Sequence, residues 1–118
     1  MNIKELLEKY EIGYPACGAD CGDGWVPLLE QLIQDLLVLG WDKDCQQVKE
    51  KFGTLRFYIG VGSDEIYKVI SAAEGASAKI CEECGNSNAK CKGLTPTGGW
   101  IITLCDPCRV KHNKKKTT

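Results

Sequence analysis

The chain has 118 residues, is 43% hydrophobic and 26% charged, and carries a formal net charge of −1. That apolar fraction and low charge exclude a disordered chain. The longest aliphatic run, Leu36 to Leu39, is far short of the ~20 residues that span a bilayer. The acidic, amphipathic N-terminus lacks the order of a secretory signal, so the sequence predicts a cytoplasmic protein with no membrane partner. The charge is uneven. Arg109, Lys111, Lys114, Lys115 and Lys116 form a basic tail without an acid, and the rest of the chain is acidic. A body of that sign is a poor general binder of polyanions.

Ile3, Leu6, Leu7 and Tyr10 follow the spacing of an amphipathic helix, with Asn2 as its N-cap. Residues 13–24, rich in glycine and holding Cys17 and Cys21, read as an ordered loop. Pro27 opens a second helix, whose leucine-rich face runs from Leu28 to Leu39 and stops at Gly40. Trp25 lies just ahead of it as a core anchor. The period then drops to two, and an antiparallel hairpin is predicted over 46–52 and 54–60, turning at Gly53. One face takes Leu55, Phe57 and Ile59. The other displays Lys49, Lys51, Arg56 and Tyr58. Ser63 caps a third helix with Asp64 and Glu65 in its first turn, and Trp100, Ile102 and Leu104 alternate as a short strand. The predicted fold is α+β: two N-terminal helices, a β-hairpin, a third helix and a C-terminal zinc ribbon. A single domain covers 1–108, with the ribbon at 80–108 and a flexible basic tail at 109–118.

Eight cysteines stand against one histidine. In a reducing compartment clustered cysteines hold metal more often than they form disulfides. Cys81-x-x-Cys84 and Cys105-x-x-Cys108 are separated by twenty residues, the spacing of a zinc ribbon. Each pair turns two sulfurs towards one ion, and four thiolates close a tetrahedral cage that leaves no coordination position for a catalytic water. The only histidine, His112, follows the last cysteine, so the histidine-dependent zinc deaminase pattern is missing. Cys17, Cys21, Cys45 and Cys91 form a candidate second metal set. The alternative is that they are packed thiols.

The string Cys21-Gly22-Asp23-Gly24-Trp25, the segment VKEKFGTLRFY from Val48 to Tyr58, the Cys81-x-x-Cys84-Gly85 knuckle and the late Gly99-Trp100 with Thr103-Leu104-Cys105 resemble a family of small bacteriophage and prophage zinc-ribbon proteins. The resemblance covers about residues 20–108. It implies an accessory role in an infected cell, such as host takeover or counter-defence, and so a location in the host cytoplasm. No base and nucleophile pair is visible, so the sequence reads as a non-enzymatic binding protein. Its expected cofactor is Zn2+. Its contact face is Lys49, Lys51, Arg56 and Tyr58, and its partner a host protein or a small anionic ligand such as a nucleotide. Two alternatives are nucleic-acid binding through the ribbon and basic tail, and an enzyme of another class.

Overall fold

A computed structural model describes residues 2–12, 18–85, 90–91, 103–105, 107–108 and 110. Helix α1 spans Ile3–Lys9 and begins with a capping box. Asn2 Oδ1 accepts the Glu5 N–H at 2.8 Å, and Glu5 Oε1 accepts the Asn2 N–H at 3.2 Å. A third acceptor arrives from outside the helix, since Asp23 Oδ1 takes the Ile3 N–H at 3.2 Å. These bonds satisfy amide donors that a helix start otherwise leaves open.

Strand β1, Gly18–Asp20, is followed by a single 3-10 turn, Asp23–Trp25, and helix α2, Val26–Val38. Strands β2, Gln47–Lys51, and β3, Thr54–Tyr58, form the predicted hairpin, and helix α3 spans Asp64–Ser77. Two short strands, β4 at Lys90–Cys91 and β5 at Thr103–Leu104, pair antiparallel near the C-terminus. The main sheet has the order β1-β2-β3, with β1 parallel and β3 antiparallel to the central strand. The glycine-rich segment, expected to be loop throughout, therefore supplies a strand. Gly18-Ala19-Asp20 is too short to carry a period-two pattern, and backbone pairing with Gln47, Val48 and Lys49 defines it instead. Strand β2 is one residue shorter at each end than predicted, whereas β3 starts at Thr54 as predicted and ends two residues early.

Leu29, Leu32, Ile33 and Leu36 bury the inner face of α2, each burial stabilising by roughly 1.5–3 kcal/mol. Leu39, assigned to that face by the sequence, lies outside the helix and is exposed, because the chain turns at Gly40 with φ +87°. Trp25 is fully buried and donates its indole N–H to the Ile80 carbonyl at 2.9 Å. Trp41 follows the turn, is also buried, and packs its ring on Phe57 at 5.7 Å between centroids.

Helix α3 starts where predicted, with Ser63 Oγ accepting the Ile66 N–H, and it closes the outer edge of β3. Ser77 Oγ accepts the Leu55 N–H at 2.8 Å and Glu74 Oε2 accepts the Phe57 N–H at 3.0 Å. Edge amides left unpaired would offer a template to another strand. Among the described residues, no helix is long and apolar enough to cross a membrane. The basic tail, apart from Val110, and Trp100 lie outside the described residues.

Candidate metal centre and basic strand face

Cys81, Cys84, Cys105 and Cys108 come together, with their sulfurs all within 4.8 Å of one another. Cys84 Sγ and Cys105 Sγ are 3.5 Å apart. Tetrahedral metal–thiolate bonds of about 2.3 Å place ligand sulfurs at about 3.8 Å from each other, so the cluster has the dimensions of a four-thiolate cage. The first knuckle is a tight turn. Gly85 donates its N–H to the Cys81 carbonyl at 2.9 Å and adopts φ +82°, a conformation open to glycine at little cost. Glu82 N–H reaches the Thr103 carbonyl at 3.0 Å and so joins the two knuckles.

The thiols differ electrostatically. Burial works against the Cys81 thiolate, but backbone N–H groups of Cys105, Cys84 and Glu83 outweigh it and hold this thiol down at about 7. Burial pushes the Cys108 thiol up, and the three neighbouring sulfurs push it further. Four thiolates this close repel one another unless a cation sits among them. The donor set thus fits a thiophilic divalent ion.

The cluster is built into the N-terminal half. Gly22 N–H donates to Glu82 Oε2 at 2.8 Å, and Gly24 N–H donates to the Glu82 carbonyl at 2.7 Å. A Cβ on Gly22 would overlap Glu82, and one on Gly24 would overlap the Cys81 and Glu82 carbonyls. The Gly22-Asp23-Gly24-Trp25 string therefore has three structural tasks. The two glycines let the knuckle approach, Asp23 caps α1, and Trp25 ties α2 to Ile80. Sequence reasoning found no role for Asp23 because its partner is a backbone amide at the other end of α1.

Of the four remaining cysteines, Cys21 and Cys45 have described side chains. Cys45 is 3% exposed inside the main core and Cys21 packs against that core. Cys17 and the side chain of Cys91 lie outside the described residues. Among the described residues, no two cysteine side chains form a disulfide with each other.

Lys49, Lys51, Arg56 and Tyr58 share one face of the hairpin. The register sets Lys49 directly opposite Arg56, Lys51 opposite Thr54 and Gln47 opposite Tyr58. The Lys49 ammonium stands 5.7 Å from the Tyr58 ring centroid. Among the described residues neither Glu50 nor Glu74 forms an ion pair with Arg56, and Asp20 takes the register position opposite Lys49 on the β1 side. Glu50 Oε2 accepts the Gly53 N–H at 2.8 Å, and Glu74 is engaged by Phe57. Arg56 Nε is buried and makes no hydrogen bond among the described residues.

Among the described residues, the fold and cluster define an α+β protein of three helices and a three-stranded mixed sheet, closed by a four-cysteine site suited to a metal ion. No family model, curated protein or solved structure matches the chain.

Proposed function

We propose that this is a non-enzymatic binding protein, held together by one zinc ion, whose basic strand face takes an anionic partner. Zinc is the fitting ion because four thiolates in a tetrahedral cage suit it and close its coordination sphere, as in structural rather than catalytic sites. The reading of the strand face rests on the Lys49–Arg56 pair. Like charges directly opposite one another destabilise a sheet, and a buried guanidinium N–H without an acceptor adds a desolvation cost. A phosphate or carboxylate between the two cations would relieve both. On the resemblance to phage proteins, that anion would belong to a host protein or a nucleotide of the infected cell.

The test is a titration of the zinc-loaded protein, followed by backbone NMR, with two probes: ATP and a poly-glutamate peptide. The expected result is a saturable shift at Lys49, Arg56 and Tyr58 with one of them, lost in Arg56→Glu at unchanged melting temperature. Shifts that avoid this face, or that persist in Arg56→Glu, contradict the proposal.

A further inference from the structure

The hairpin turn carries a residue that turn chemistry disfavours. Lys51 pairs with Thr54, so Phe52 and Gly53 form a two-residue loop, and both have positive φ, +55° and +83°. Such turns favour Asn, Asp or Gly at the first position, and a bulky residue there is strained. Phe52 is also 63% exposed. The turn is held firmly despite this. Glu50 binds the Gly53 N–H, Thr54 Oγ1 donates to the Lys51 carbonyl at 3.1 Å, and Thr103 from the second knuckle donates its hydroxyl to the Gly53 carbonyl. A strained aromatic, fixed in place and pointed at water, has the character of a preorganised binding anchor.

The same chain offers a socket. An open groove of about 330 Å³ runs between α2 and α3, lined by Leu28, Leu32, Val69, Ala73, Ala76 and the exposed Asp35. The alanines of α3 leave it wide, and its lining is almost wholly apolar. It complements the tip in chemistry and in charge. Phe52 has an apolar ring to bury, and the Lys51 ammonium, 5.7 Å from that ring, has Asp35 to meet.

We propose that two copies of the chain associate about a two-fold axis, the Phe52 ring of each entering the α2–α3 groove of the other, with Lys51 facing the partner's Asp35. Two-fold closure uses each tip and each groove once, so the contact ends at a dimer. This inference shares Lys51 with the basic strand face, but its central residues, Phe52 and the groove, belong to neither the metal centre nor the opposed cation pair, so Phe52→Asn and Ala76→Trp test it separately.

The experiment is sedimentation of the zinc-loaded protein over a concentration series. The wild type should show a reversible monomer–dimer equilibrium. Phe52→Asn should raise the dimer dissociation constant roughly thirtyfold or more, as loss of a central aromatic anchor does. Its melting temperature as a monomer should hold or rise, because asparagine relieves the turn. Ala76→Trp, placed on an exposed position of α3, should fill the groove and have the same effect on association. Mixing the two variants should recover a weaker heterodimer, since one intact tip then meets one intact groove. Lys51→Glu and Asp35→Lys should each weaken the dimer, and their combination in one chain should restore it. A wild-type chain that stays monomeric at its highest soluble concentration overturns the proposal. So does a dimer that survives Phe52→Asn and Ala76→Trp, or a charge pair whose double exchange restores nothing.

Discussion

Gly24 and Glu82 are joined backbone to backbone, the Gly24 N–H reaching the Glu82 carbonyl at 2.7 Å. That bond binds the start of α2 to the turn that carries two of the four cluster cysteines. The approach is closer than any side chain at position 24 would allow. The four-cysteine cluster and the N-terminal packing therefore share one set of contacts.

Gly24→Ala should be more harmful than a glycine-to-alanine change is elsewhere. Its Cβ would meet backbone carbonyl oxygens of the knuckle, which cannot swing aside. The expected loss is roughly 3 kcal/mol, the upper range for overpacking a core, together with weaker metal retention. Chemical denaturation and a chelator competition on the same sample check both effects. A variant with wild-type stability would show that the knuckle does not dock on this glycine.

Ser77→Ala isolates the bridge between α3 and the sheet edge. Ser77 is fully buried, and its hydroxyl accepts the Leu55 N–H and donates to the Glu74 carbonyl. Removing it leaves a buried amide unsatisfied, at a cost of about 1–3 kcal/mol. Amide exchange at Leu55 should accelerate more than exchange at Val48 in the central strand.

Much of this architecture was legible in the sequence. Ser63, Asn2, Pro27 and Gly40 marked helix ends because capping and turn chemistry act over three or four residues. The four-cysteine cluster followed from spacing, since C-x-x-C already fixes two sulfurs on one turn. What was missed depends on distant partners. Strand β1 has no alternating pattern of its own, and it is a strand because Gln47, Val48 and Lys49 offer it an edge. The opposition of Lys49 and Arg56 needed the register, which Lys51 and Thr54 set by flanking a two-residue turn.

The ligands give zinc retention a pH dependence, because metal binding takes deprotonated thiols. Burial works against the Cys81 thiolate, but backbone N–H groups outweigh it and lower the pKa from the ordinary 9.0 to about 7, so protons compete for this ligand as pH falls through 7. Burial and the neighbouring sulfurs push Cys108 up, a shift that a bound cation has to offset. Zinc should therefore be released progressively as pH falls below 7, read with a chromogenic zinc indicator. Full zinc loading down to about pH 4 would contradict thiolate ligation.

The central claim is that Cys81, Cys84, Cys105 and Cys108 hold one zinc ion whose binding energy is part of the folding energy. Native mass spectrometry of the reduced protein, paired with a melting curve for the same sample, tests it most directly. The account predicts one zinc per chain in the wild type. In Cys105→Ser it predicts loss of that zinc, with disordering of the knuckles and of the Gly22–Trp25 contacts that rest on them. A wild-type chain that is fully folded and carries no metal, or a Cys105→Ser chain that keeps both its zinc and its melting temperature, would contradict it.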